Sequence, residues 1–167
     1  WEGVPGDLLQ LKKPVAKCSI RFLSKGIPQA ITLWDAEGKG ITIQSEMADL
    51  AERTEVGVVV LSMSTSLASG EVEIEDEKFF GKALEPFSLV VEEAGHNVES
   101  GLCLKYGVGS TDELVVVAGA CPYSIAISGL VSSSAPEFTP EYPLERYSRL
   151  PIVQTSAEDH ARGQPPM

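Results

Sequence analysis

Glu113-Leu-Val-Val-Val-Ala-Gly-Ala-Cys-Pro-Tyr-Ser-Ile-Ala-Ile-Ser-Gly129 decides between two readings of this chain. It is either a strand, a bend and a second strand, or a tight turn that presents Cys121 as a nucleophile. Leu114 to Ala118 is a short apolar run of strand length, and Tyr123, Ile125 and Ile127 share one face of an alternating segment. Small residues at 118–121 permit close backbone approach, and Pro122 removes one ladder donor. The stretch therefore reads as two strands about a bend, with Cys121 as packing material. A thiol nucleophile needs a proton acceptor and a setting that favours thiolate. His96 and His160 are the two histidines, and Pro122 rather than a capped helix follows the cysteine, so Cys121/His96 catalysis is the weaker reading.

The same alternation recurs upstream. Cys18, Ile20 and Phe22 face one way and Lys17, Ser19 and Arg21 the other, which is a half-buried strand. Ala30–Trp34 and Gly40–Gln44 flank Asp35-Ala-Glu-Gly-Lys39, a hairpin whose Gly38 supplies positive φ. Val56–Met63 is nearly continuously apolar and reads as a central strand covered on both faces. Phe87–Glu92 and Glu99–Tyr106 read as strands after a break at Pro86, joined through Ala94-Gly-His-Asn97. One segment departs from this pattern. Ser45 is placed to cap a short helix over 46–53, with Met47, Leu50 and Ala51 on one face.

These elements predict a mainly β fold, an antiparallel sandwich or barrel with one short helix and an extended C-terminal arm. An α+β arrangement is the alternative. Residues 1–133 are expected to form one β-rich domain, a length sufficient for a self-supporting core. Residues 134–167 form a Pro-rich arm carrying Phe138, Tyr142 and Tyr147, expected to dock on the body, with disorder after about Thr155.

Composition narrows the chemistry. Thirteen Lys and Arg against 24 Asp and Glu give a net charge of −11, which repels nucleic acid and anionic membrane surfaces. No apolar run reaches the roughly 20 residues of a membrane helix. Cys18, Cys103 and Cys121 are widely spaced and odd in number, which suits a reducing compartment, and a cytoplasmic location is the expectation. No local His pair or Asp-rich loop suggests a metal, and Gly107-Val-Gly-Ser-Thr-Asp112 lacks the Gly-Lys ending of a phosphate cradle. No cofactor is expected.

What stands out is Glu71-Val-Glu-Ile-Glu75, followed by Asp76 and Glu77. Alternation places Glu71, Glu73 and Glu75 on one face. An acidic strand either guards a sheet edge against accidental pairing or recognises a basic surface. The functional expectation is a non-enzymatic protein-binding module acting through Glu71, Glu73, Glu75, Asp76 and Glu77, in sharper form an acidic immunity or inhibitor protein that occludes a basic effector. A second expectation is a small-ligand barrel with a pocket behind Trp34, Cys103 and Tyr123. A third is a self-assembling module in which Phe138, Tyr142 and Tyr147 pack across a neighbouring copy.

Overall fold

The computed structural model describes residues 10–24, 26–51, 54–67, 69–74, 76–109, 112–132 and 135–152. The chain is mainly β, built as two antiparallel sheets. The strands are β1 (Lys17–Ser24), β2 (Ile27–Trp34), β3 (Gly40–Ala51), β4 (Thr54–Ser64), β5 (Val72–Ile74), β6 (Glu85–Glu93), β7 (His96–Lys105), β8 (Glu113–Ala118), β9 (Ile125–Ser128) and β10 (Ser148–Pro151). The first sheet runs β4-β3-β2-β1-β5 and the second β10-β6-β7-β8-β9. Among the described residues the two sheets are not joined edge to edge, so the architecture is a sandwich and not a closed barrel.

The period-2 pattern puts its apolar residues where the sheets meet. Cys18, Ile20, Ile31, Leu33, Ile41 and Ile43 of the first sheet form one buried cluster with Leu102, Leu104, Leu114, Val116, Ile125 and Ile127 of the second. The outer face of the first sheet is polar by comparison. There the Thr32 and Thr42 hydroxyls lie 2.7 Å apart across the ladder, and Trp34 Nε1 donates to Ser19 Oγ at 2.9 Å.

The second sheet also has an apolar outer face, from Leu89, Cys103, Val115, Val117 and Ala126, which needs a cover. The far end of the β3–β4 hairpin, through Leu50, Val56 and Val58, and the C-terminal arm supply it. Residues 139–141 extend the ladder beyond β8, with Ala120 N–H donating to the Thr139 carbonyl and Glu141 N–H to that of Ala118. The chain then makes a 3-10 turn over Leu144–Arg146 and pairs as β10 with β6. Phe138, Tyr142 and Tyr147 pack on the cluster beneath this path. Arg149 grips Glu113 through two guanidinium nitrogens, spanning from β10 to β8. That ion pair, by hydrogen bond and charge, holds the Glu113 carboxyl below its ordinary value against the cost of burial.

Four readings of the sequence are corrected here. Ser45–Ala51 is not a helix but the second half of β3, paired with β4 from Ser45↔Val59 to Asp49↔Glu55. A two-turn helix has little stability of its own, whereas continuing the hairpin extends the hydrogen-bonded ladder with β4. β4 is an edge strand of its sheet and not a central one; its apolar run is explained because it also lies against β7 and β8, where Ser100 Oγ donates to the Gly57 carbonyl. Pro86 is not a break before β6 but its second residue, opposite Leu104. The β6–β7 connection is tighter than expected, since Glu93 pairs with His96 and Ala94 and Gly95 alone turn the chain, both at positive φ.

Among the described residues, no helix is long and apolar enough to cross a membrane. Glu75, Arg53 and the tail beyond Ile152 lie outside the described residues.

Candidate functional site

Among the described acids, Glu71 and Glu73 face the same side of β1 and Glu77 stands apart from them. β5 is an edge strand paired with β1, and each acid has its own setting. Glu73 pairs with Lys17 at 3.2 Å across the strands, and Ser19 Oγ donates to Glu71 at 3.2 Å. Asp76 is exposed. Glu77, expected on the recognition surface, is instead only 4% exposed. Its carboxylate accepts the Val131 and Ser132 amides at 2.8 and 3.0 Å, tying the segment after β9 to the turn after β5. A carboxylate so engaged is a structural anchor.

Nor do Trp34, Cys103 and Tyr123 share a pocket. Trp34 is buried on the outer face of the first sheet, Cys103 lies under the arm on the outer face of the second, and Tyr123 is 54% exposed. Burial pushes the Cys18 thiol up to about 12 and Cys103 up to about 11, each with help from a nearby carboxylate, so both stay protonated at neutral pH. Cys121 is not buried packing material: it is exposed. The register of β7 and β8 puts His96 and Cys121 at the same end of the second sheet, but no hydrogen bond joins them among the described residues. A thiol-reactive dye should label one cysteine rapidly in the folded protein and three after denaturation. Cys121→Ser should abolish the fast phase; a persistent fast phase would contradict the burial of Cys18 and Cys103.

The chain does build two depressions on either side of the loop between β8 and β9. Cys121-Pro-Tyr-Ser124 is a β-turn in which Ser124 N–H donates to the Cys121 carbonyl at 3.1 Å. Pro122 takes the second position, and Tyr123 the third at φ 65°, where a type II turn calls for Gly. On one side lies an open groove of about 860 Å³, lined mainly by apolar atoms. Phe22 and Ile27 from the β1–β2 hairpin, Ala120 and Cys121 from the β8–β9 loop, and Ala135, Pro136 and the exposed Glu137 from the arm line it. On the other side Tyr123 borders a cleft of about 380 Å³ with Gln29, Gln44, Ser45, Glu46 and Met47.

Tyr123 occupies the left-handed region without the hydrogen-bonding short side chain that eases Asn or Asp there. Tyr123→Gly should therefore leave stability unchanged or raise it by up to about 1 kcal/mol, the relieved strain outweighing the added chain entropy. A urea midpoint clearly below wild type would show that the ring itself holds the loop.

Among the described residues, no group of three or more His, Cys, Asp or Glu side chains is arranged to hold a metal ion. The sequence reading did single out the loop at Cys121 and Tyr123, but not the groove or the cleft. Their walls come from segments remote in sequence, and no local pattern marks them. Comparison of the chain with known protein families, with curated proteins and with solved structures finds no match.

Proposed function

We propose that the chain is a non-enzymatic protein-binding module that takes an apolar side chain of a basic partner into the groove between the β1–β2 turn, the β8–β9 loop and the arm. The observation that carries this reading is the groove itself: about 860 Å³, mainly apolar in lining, with the exposed Glu137 among its lining residues. Its volume lies within the usual range of binding pockets. On a chain of net charge −11, a Lys- or Arg-rich partner is drawn in by the overall field, while apolar contact supplies the affinity. An inhibitor or immunity role, in which the bound partner's cationic cleft is covered, is the specific form of this reading. The acidic β5 edge acts here as a guard against strand addition, its charges partly neutralised by Lys17.

A displayed library of random peptides, selected on the folded chain, tests this. Enrichment should favour peptides that place a large apolar residue beside Lys or Arg. Ala120→Trp, at an exposed position lining the groove, should weaken them at least tenfold. Joint substitution of Glu71, Glu73 and Glu75 by Gln should change binding less than twofold. A library that yields no binders, or binders indifferent to Ala120→Trp, would remove the proposal.

A further inference from the structure

The smaller cleft has a different chemistry from the groove. Arg21 on β1 donates through Nε to Gln29 Oε1 at 3.0 Å and through Nη2 to Gln44 Oε1 at 3.2 Å. A guanidinium has no acceptor, so both amides must turn their oxygens toward it and present their Nε2 donors elsewhere. One cation thus orients two side-chain amides, on β2 and β3, that both line the cleft. Glu46 adds an exposed acceptor, and Tyr123 adds an aromatic ring held at its rim by a turn that would prefer glycine. A non-glycine residue kept at positive φ beside a preorganised polar cleft is the sort of local cost that binding sites retain.

We propose that this cleft is a binding site for a neutral, hydroxyl-rich small molecule of saccharide class. The match is chemical. Vicinal hydroxyls both donate and accept, so they satisfy the directed amide N–H groups of Gln29 and Gln44 together with the Glu46 carboxylate. A sugar ring also carries an apolar C–H face, which the Tyr123 ring can cover. An anionic ligand is disfavoured, because Arg21 is already engaged by the two amide oxygens and Glu46 contributes negative charge. The volume of about 380 Å³ lies at the small end of ligand pockets, suiting one or two sugar units. The site is distinct from the groove and stands whether or not a protein partner binds there.

The test is an array of immobilised mono- and oligosaccharides probed with the labelled full chain, followed by titration of the free sugar that gives the strongest signal. Wild type should bind at least one saccharide class. Tyr123→Gly should reduce that affinity at least tenfold while keeping its thermal midpoint, and Glu46→Gln should reduce it several-fold. Because the glycine variant is expected to fold at least as well as wild type, lost binding there reports the missing ring. A folded wild type that binds nothing on the array overturns the proposal, as does binding that survives both substitutions. A panel of free amino acids and organic acids serves as the counter-screen, and binding confined to those would equally overturn it.

Discussion

Glu77→Ala should destabilise the protein by about 3 kcal/mol, whereas Glu73→Ala, four residues away, should cost less than about 1 kcal/mol. The contrast follows from position. Glu73 is 40% exposed at its side chain and pairs with a comparably exposed Lys17, so water and salt compete for both charges. Glu77 is buried, and its two oxygens are the acceptors for two backbone amides, Val131 and Ser132, some 54 residues along the chain. Removing the carboxylate breaks two charge-assisted bonds at once and leaves a cavity where the buried side chain stood, while the part-buried amides lose the acceptor that ties them to the turn after β5. Glu77→Gln should be nearly as damaging, because only its oxygen can accept and its amide nitrogen would face an N–H group. Urea unfolding of the three variants measures the ranking. If Glu77→Gln unfolds like wild type, the carboxylate is not the anchor described, and the original expectation of a surface recognition role returns.

Gly57→Ala is expected to cost about 3 kcal/mol, at the upper end for overpacking, because three parts of the fold meet at that residue. A Cβ there would stand 2.5 Å from the Ala118 Cβ and 2.8 Å from Glu141 Oε2. The Gly57 carbonyl accepts from Ser100, and its N–H donates to Glu141 Oε2 at 3.0 Å. The alanine variant must therefore push β4 from β8 or displace the arm from its place beside both. Limited trypsin digestion separates these outcomes: faster cleavage after Arg146 and Arg149 reports arm release, and unchanged cleavage with lower stability reports strain in the sheets.

The Glu141 contact also has a pH signature. Burial raises the Glu141 carboxyl above its ordinary value, opposed by the Gly57 N–H and reinforced by the nearby Glu93 charge. Around it, Tyr142 donates to Glu93, and Arg146 lies 3.6 Å from the same carboxylate and stacks 4.5 Å from the Tyr142 ring. A carboxyl raised by folding binds its proton more tightly in the native state. Its stabilising contribution is complete below the unfolded pKa and lost as pH rises through the folded one. Asp35 and Glu113 are lowered and work in the opposite direction, so whole-protein stability mixes the two signs. The difference between wild type and Glu141→Gln isolates the site. Wild type should lose ground to the variant as pH rises from the ordinary glutamate range toward neutrality, and a difference independent of pH would show that Glu141 is not buried at the arm.

Where alternation was clean, the sequence by itself determined the strands. Cys18, Ile20 and Phe22 alternate with Lys17, Ser19 and Arg21, and β1 lies there. Gly38 sits at φ 86° in the hairpin predicted around it, and the stretch from Glu113 to Gly129 is two strands about a turn. Local sterics and the period of side-chain direction are properties of neighbouring residues, so they are legible without the fold. The tertiary structure decided what depends on remote partners. Ser45–Ala51 has a helical face on paper, yet the valine-rich β4 offers it a continuous ladder, and pairing outweighs a two-turn helix. Glu77 continues an acidic run in sequence, but its oxygens are fixed by amides after β9. The groove and the cleft are likewise invisible locally, because residues from the first hairpin, the β8–β9 loop and the arm become neighbours only when the two sheets close on their common core. Sandwich rather than barrel was settled in the same way, by strand pairing that, among the described residues, divides into two separate sheets, a choice made between strands and not within them.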